Sequence, residues 1–576
     1  MTSLLRAYLS PHRRVLALIA VLLLIQAIGT LILPSLNADI INEGVVTGDT
    51  GYILRVGAIM LGLSILVGVA TVVAVYFSAR TAMVVGRDMR GDVFRRVERF
   101  SLAQVHDFSI PSLITRNTND VQQIQMLVMV GLTMMVVAPV TAVGGVIMAL
   151  REDVQLSAIL IVTVPVMLLV IGFMVAKAVP LFRSMQVRID GVNEILRENL
   201  AGIRVIRAFV RTQHEEARFA DANAELASVA LRVTRLFALI LPTLLLIMNV
   251  TLVATIWFGG HLVNDGSMPI GNLLAFQAYI MQILFSVMMA VMTMMMVPRA
   301  AASAERIQAV LETTPAIEEP GAPVRPQSGT GRIELQDVTF RYPGAEDPVL
   351  SHLSCVIEPG MTTAIVGGTG SGKSTLVNLL PRLLDVSGGR ILIDGVDVRD
   401  MTLAELWSMF GIVPQRSFLF SGTVESNVRF GRADATDEQV WQALRIAQAE
   451  DFVSDLVEGL DARVEQGGVN FSGGQRQRLA IARCVVREPL IYLFDDSFSA
   501  LDYATDARLR AALAQRTEGR TVIIVAQRVS TIRNAGRIIV LDRGAIVGVG
   551  THDELLETCP AYLEIAESQV QLEEAP

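Results

Sequence analysis

The chain has 576 residues, 52% of them hydrophobic and only 18% charged, with a formal net charge of −8. This is too apolar for an ordinary soluble protein and calls for a membrane-embedded half. The acidic balance argues against a nucleic-acid partner, because gripping a phosphate backbone takes concentrated Lys and Arg. Three cysteines, Cys355, Cys484 and Cys559, lack C-x-x-C and metal-ligand spacing and fit a reducing cytosol.

Six apolar stretches are each long enough for the roughly 20 residues that cross a bilayer core: Val15–Ile41, Val56–Ala79, Val121–Leu150, Val154–Ala176, Leu236–Gly260 and Gly266–Pro298. The last five contain no Asp, Glu, Lys or Arg, the pattern expected where each buried charge costs several kcal/mol. The first follows Arg6, His12, Arg13 and Arg14 and precedes no small-residue cleavage site, so it reads as a retained helix. Short connections at Asn42–Asp49 and His261–Ser267 lack Lys and Arg, whereas Arg80–Arg116 and Arg183–Arg218 are crowded with arginine. By the positive-inside rule the latter two and the N-terminus face the cytoplasm of a multi-pass cell-membrane protein. Their length and periodic charge predict helices that continue beyond the bilayer.

Methionines crowd the sixth stretch (Met281, Met288, Met289, Met292, Met294, Met295, Met296) and the third (Met126, Met129, Met134, Met135). They fit either a pliable cavity for varied apolar compounds or lipid-facing and packing positions. Asn37, Asp39 and Glu43, near the outer end of the first stretch, read as water-facing rather than substrate-binding. Pro34, Pro139, Pro165, Pro242 and Pro269 require neighbours that satisfy the carbonyls they free.

From Thr313 to Thr330 the sequence TTPAIEEPGAPVRPQSGT cannot continue a helix and marks a linker. The expected organisation is a transmembrane domain at 1–312, the linker at 313–330 and an α/β domain at 331–576, where strand-like and helical runs alternate. Within it, Gly367-Gly368-Thr369-Gly370-Ser371-Gly372-Lys373-Ser374-Thr375 satisfies G-x-x-x-x-G-K-[ST] between a strand-like and a helix-like run. Glycines let the backbone wrap phosphate, Lys373 reaches the β and γ phosphates, and Ser374 can ligate Mg2+.

Further on, Ser472-Gly473-Gly474-Gln475 opens a helix-forming run. An apolar strand, Leu490–Phe494, then delivers the adjacent carboxylates Asp495 and Asp496, followed by Ser499-Ala500-Leu501-Asp502. This order of parts resembles the ATP-binding cassette family, over about residues 5 to 565. The resemblance implies an exporter-type (type IV) half-transporter: six membrane helices followed by a P-loop nucleotide-binding domain, using ATP and Mg2+. It makes Ser472 to Gln475 the signature motif, Asp495 the Walker B carboxylate that holds Mg2+, and Asp502 part of the D-loop. It also makes Gln415 the Q-loop ligand of Mg2+ and Tyr342 the aromatic that stacks on adenine. Phe108–Val121 and Ala201–Thr212 become coupling helices, which without the resemblance read equally well as amphipathic surface helix.

Three positions depart from the family. Asp496 stands where hydrolytic sites carry glutamate, Gln527 where they carry a switch histidine, and Gln466 where exporters often have an X-loop glutamate. Aspartate is a methylene short, so a general base there sits about 1 Å from its proper place, an error that costs on the order of a hundredfold. Gln527 can hydrogen-bond but cannot carry positive charge onto the phosphoryl group. The expectation is a site that binds ATP and hydrolyses it slowly. With an intact signature to offer, the chain is expected to pair with a second half-transporter carrying the missing glutamate and histidine, and to export a lipophilic or amphiphilic compound by alternating access. An importer with the same fold, or a regulatory or channel-like subunit, are the other readings.

Overall fold

The computed structural model describes residues 1–294, 296–326 and 329–574; Met295 and, in the linker, Gln327 and Ser328 lie outside them. The chain folds as two units, Met1–Glu98 with Ser109–Thr314, and Arg99–Phe108 with Pro315–Pro576.

Among the described residues the first unit has six helical spans long and apolar enough to cross a membrane, Thr2–Val45, Thr50–Val97, Ile110–Glu152, Ala158–Ala208, Thr212–Asn264 and Ile270–Glu312. A 53-residue helix is about 80 Å long at 1.5 Å per residue, against a hydrocarbon core of about 30 Å, so much of each long span lies outside lipid. The helices thus run well past the apolar stretches that mark them in the sequence. Ala201–Ala208 is the end of the fourth long helix rather than a helix of its own, and the next begins at Thr212. In the other segment expected to couple, the chain turns at Ser109, at φ 60°, and Ile110–Thr115 leads through a wide turn at Arg116–Asp120 into the third span.

The helices pack through small residues and satisfied carbonyls. Pro34 lies inside the first span and has no N–H to give the carbonyl of Thr30, four residues back. Gln282 Nε2 of the sixth span donates to that oxygen at 3.3 Å, and the Tyr279 hydroxyl donates to the next carbonyl, Leu31, at 2.9 Å. A Cβ at Gly271 would lie 2.4 Å from the carbonyl of Ala38, so only glycine permits this approach. The fourth, fifth and sixth spans contribute Leu160, Met167, Leu244, Phe276, Tyr279 and Ile283 to one core. The fourth and fifth pack chiefly on each other. At their turn Phe209 and Val210 are 74% and 85% exposed.

At the other end of the third span, the Asp120 side chain is 3% exposed and pairs with Arg306, whose Nε donates at 2.7 Å, and with Ser303 Oγ at 2.9 Å. Replacing Arg306 with alanine leaves a buried carboxylate without its counter-charge. Removing one partner of a fully buried pair costs about 3–5 kcal/mol. Because the Arg306 side chain is itself 48% exposed, about 2–3 kcal/mol is expected here. Thermal unfolding in detergent should therefore show a lowered midpoint for Arg306→Ala, and a smaller drop for the paired replacement Asp120→Asn with Arg306→Met.

In the second unit the strands are β1 (Ile333–Phe340), β2 (Leu350–Ile357), β3 (Thr362–Gly367), β4 (Gly388–Ile393), β5 (Val396–Asp397), β6 (Phe410–Val413), β7 (Gly422–Thr423), β8 (Arg463–Val464), β9 (Ile491–Asp495), β10 (Thr521–Val525), β11 (Arg537–Asp542) and β12 (Ala545–Gly550). They form an antiparallel sheet, β2-β1-β4-β5, a six-stranded sheet, β12-β11-β3-β10-β9-β6, and the small pair β7-β8. In the six-stranded sheet β11, β3, β10, β9 and β6 are parallel and only the edge strand β12 is antiparallel. Such strands are buried on both faces, as their unbroken apolar runs AIV, IYLF and VIIV require. One face packs on Leu376, Leu380, Ile391, Ile393 and Leu406, the other on Leu479, Ile481, Leu509 and Leu513.

Candidate nucleotide site

Ligands of open α/β sheets bind outside the carboxyl ends of the parallel strands, and here four neighbouring strands end in polar residues. β3 runs into Gly367–Lys373, β10 is followed by Gln527, β9 ends in Asp495 and is followed by Asp496, and β6 is followed by Gln415.

Gly372 holds φ 96° just before the helix Lys373–Leu379, and a Cβ there would meet Leu350 Cδ2 at 2.4 Å. At Gly368 and Gly370 a Cβ would meet nothing within 4 Å, so the loop presents bare backbone, as a phosphate cradle must. Thr369 and Ser371 lie between these glycines. The Lys373 ammonium folds back on its own loop, donating to the carbonyls of Gly367 and Gly368 at 2.8 and 2.7 Å. Burial pulls its pKa down, against the charges of Asp495 and Asp496. Tyr342 is partly exposed, with its ring edge-on to Phe340 and its hydroxyl 3.2 Å from Thr375 Oγ1.

Burial, and after it the charge of Asp496, pushes the Asp495 carboxyl above the usual range, against a hydrogen bond from Ser374 and the charge of Lys373. The Asp495 carboxylate, the Ser374 hydroxyl and the Gln415 amide carbonyl are hard oxygen donors of the kind Mg2+ takes. A raised folded-state pKa means that the fold favours the protonated acid. Stability from this group therefore rises as pH falls through that raised value, and the ionised form is a cost at neutral pH. Asp495→Asn should accordingly raise the unfolding midpoint of the nucleotide-free protein at neutral pH, with the difference shrinking in acid. It should also weaken Mg2+-dependent nucleotide binding by on the order of tenfold or more. Calorimetry across pH and nucleotide titration check the two halves.

Asp496 adopts φ 48°, with its N–H donating to the carbonyl of Val525 at 2.9 Å. Aspartate is among the few side chains that enter this region readily. Its Oδ2 accepts from Gln527 Nε2 at 3.1 Å and, more weakly, from Gln415 Nε2 at 3.4 Å. The two departures from the family pattern are thus in direct contact. The backbone of Gln527 is held in turn by Gln569, a residue with no motif around it: its Oε1 accepts from the Val529 N–H at 2.7 Å and its Nε2 donates to the Gln527 carbonyl at 2.6 Å.

Ser472 and Gln475 form a reciprocal capping box at the start of the helix Gly473–Val486. Ser472 Oγ accepts from the Gln475 N–H at 3.3 Å, and Gln475 Oε1 accepts from the Ser472 N–H at 2.9 Å. Gly473 faces open space, while a Cβ at Gly474 would lie 3.3 Å from the Ala500 carbonyl. Asp502 caps the next helix by accepting from the Thr505 N–H at 2.9 Å. Sequence reading also passed over Gln477, whose Oε1 accepts from Ser417 Oγ at 2.6 Å and ties the signature helix to the segment after Gln415. Gln466 lies in a short turn with Gly467 at φ 73°.

Residues 16–287 match the family model described as ABC transporter transmembrane region, and residues 350–499 the one described as ABC transporter. An uncharacterized ABC transporter ATP-binding protein of Mycobacterium tuberculosis is 48% identical over 571 residues, covering 98% of each chain. An ATP-dependent lipid A-core flippase of Syntrophus aciditrophicus is 32% identical, covering 86% of this chain and 82% of its own. A multidrug export ATP-binding/permease protein of Bacillus subtilis, so named as putative, is also 32% identical, covering 92% of this chain and 91% of its own. The structure of a bacterial Atm1-family ABC exporter with ATP bound superimposes with a TM-score of 0.81 at 26% identity, covering 98% of this chain and 99% of that one. The chain belongs to the ABC transporter family, as an exporter-type half-transporter that joins one six-helix membrane region to one ATP-binding domain.

Proposed function

We propose that this chain is one subunit of a heterodimeric exporter: it grips ATP in its own site, cleaves it slowly, and completes a faster site in its partner. The observation that carries this reading is the Asp496–Gln527 pair. In the place of a glutamate base and a histidine stand a shorter carboxylate and an amide, hydrogen-bonded to each other at 3.1 Å. An amide engaged in this way can orient a phosphate oxygen but cannot protonate or charge it.

In this reading the amides of Gly368 to Ser374 and the Lys373 ammonium bind the phosphates, and Tyr342 stacks on adenine. Ser374, Gln415 and Asp495 would hold Mg2+, which when bound neutralises charge on the β and γ phosphate oxygens. Lys373 must exchange its two loop carbonyls for phosphate oxygens. Ser472, Gly473, Gly474 and Gln475 serve the ATP held by the partner, with Asp502 fixing the loop beside them. The exposed Phe209 and Val210 at the turn of the fourth and fifth spans support a second half that covers them, since apolar residues at a helix tip gain by burial.

The N-terminus and the nucleotide-binding domain face the cytoplasm of the cell membrane in this reading, which the arginine-rich stretches support. The cargo is lipophilic or amphiphilic, in keeping with relatives named for multidrug export and lipid flipping. Among the described methionines of the sixth span, Met281, Met292 and Met294 are exposed on the single chain, where a cavity wall or lipid would meet them.

Purifying the chain alone and together with a half-transporter bearing the glutamate and histidine tests the proposal. Alone it should bind ATP with ATPase activity near background, and the pair should be faster by about a hundredfold. Brisk turnover and transport by the isolated chain would overturn it.

A further inference from the structure

The last helix, Pro560–Glu574, is fastened to the nucleotide-binding unit before it reaches the site. Tyr562 is fully buried and hydrogen-bonded to His552 Nδ1 at 2.8 Å. Cys559 and Tyr562 pack into a core with Ala364, Val366, Ala526, Ile538 and Val540, so this helix is anchored to the strands that flank the phosphate loop. Ala566, one turn on, is also buried. Gln569 follows three residues later, on the same helical face.

Its amide makes two oppositely directed bonds to the backbone on either side of Arg528, accepting from Val529 N–H and donating to the Gln527 carbonyl. A planar amide that both accepts and donates in this way fixes the position and the tilt of a loop. The loop needs such a hold: after β10 the last sheet-like tie is the Ala526 N–H to the Ile365 carbonyl, at 3.3 Å. From there the Gln527 side chain reaches Asp496.

We propose that Gln569 is the positioning residue of the switch loop: from the C-terminal helix it sets where the Gln527 amide points, and so how well this chain's site tells ATP from ADP. The proposal rests on the reading of Gln527 as a γ-phosphate contact. It makes the C-terminal helix part of nucleotide sensing, and it explains why a residue outside every motif spends both amide atoms on this loop.

The test uses the full-length chain in lipid nanodiscs, titrated with Mg2+ and either a non-hydrolysable ATP analogue or ADP. Gln569→Ala should weaken the analogue by about fivefold, the worth of one well-placed hydrogen bond, and leave ADP unchanged. In a Gln527→Ala background it should add nothing. Hydrogen exchange at the Val529 amide should quicken. A chain ended after Ser568 should behave as Gln569→Ala does, which covers the case of a poorly expressed point variant. Equal weakening of both nucleotides, an effect that persists without the Gln527 side chain, or an unchanged Val529 amide would each overturn the proposal. If Val529 is freed but Gln527→Ala itself leaves the ATP to ADP ratio untouched, the failure lies in the reading of Gln527, and the sensing role falls with it.

Discussion

The double replacement Asp496→Glu with Gln527→His should turn the chain, expressed alone, into a competent ATPase. On the proposed reading, two copies of the chain would pair two sound signature motifs with two impaired Walker B sites. The backbone at Asp496 is already placed by its N–H bond to Val525, so glutamate carries its carboxylate a methylene further along the same path. Recovering about 1 Å of misplacement is worth on the order of a hundredfold. Histidine at 527 adds a group able to bear positive charge toward the phosphoryl oxygens, for about a further tenfold. Glutamate tolerates the left-handed backbone less well than aspartate, so a small loss of stability should accompany the gain. Steady-state phosphate release and nucleotide affinity, measured on the parent, both single variants and the double, check this. The parent must be slow, affinity must stay level, and the double variant must exceed either single one. A double variant no faster than the parent would show that the slow step lies elsewhere.

The parts of this site that were legible in the sequence are those where one local segment carries the whole requirement. The phosphate loop is such a segment, because the need for bare, left-handed backbone at Gly370 and Gly372 is written as glycine. The spans are another, because lipid tolerates so few charges that their absence stands out, and so is β9, apolar until it reaches Asp495. What escaped was set by tertiary contact. That the fourth helix continues past its apolar signal was legible in the periodic charge beyond Ala176, but not that Ala201–Ala208 is the end of that helix rather than a helix of its own. That Gln527 touches Asp496 follows from β9 and β10 being neighbours, which residues 31 apart in sequence do not announce. Gln569 has no signal at all, since a glutamine near the end of a polar helix looks like solvated surface until its two partners are seen.

Loss of the Ser472 hydroxyl should be felt in the other subunit's site rather than in this chain's own. The hydroxyl caps the signature helix by accepting from the Gln475 N–H, so Ser472→Ala costs about 1 kcal/mol of local helix stability. A helix whose Leu479, Ile481 and Val485 are buried in a large core can absorb that loss. The capped hydroxyl still has its own proton to give, and it stands beside the exposed amides at the helix start, where negative charge is favoured. If that donor meets the γ phosphate held by the partner, deleting it should lower the ATPase rate of the assembled pair by about a hundredfold to a thousandfold, the usual cost of removing one transition-state donor. Nucleotide binding to this chain alone should not change, because its own phosphate loop is untouched. Ser472→Thr keeps both the cap and the donor and should restore much of the rate, which separates a catalytic loss from an unfolded helix. A pair that keeps full activity with Ser472→Ala would remove this chain's signature from the working site and, with it, the asymmetric division of labour.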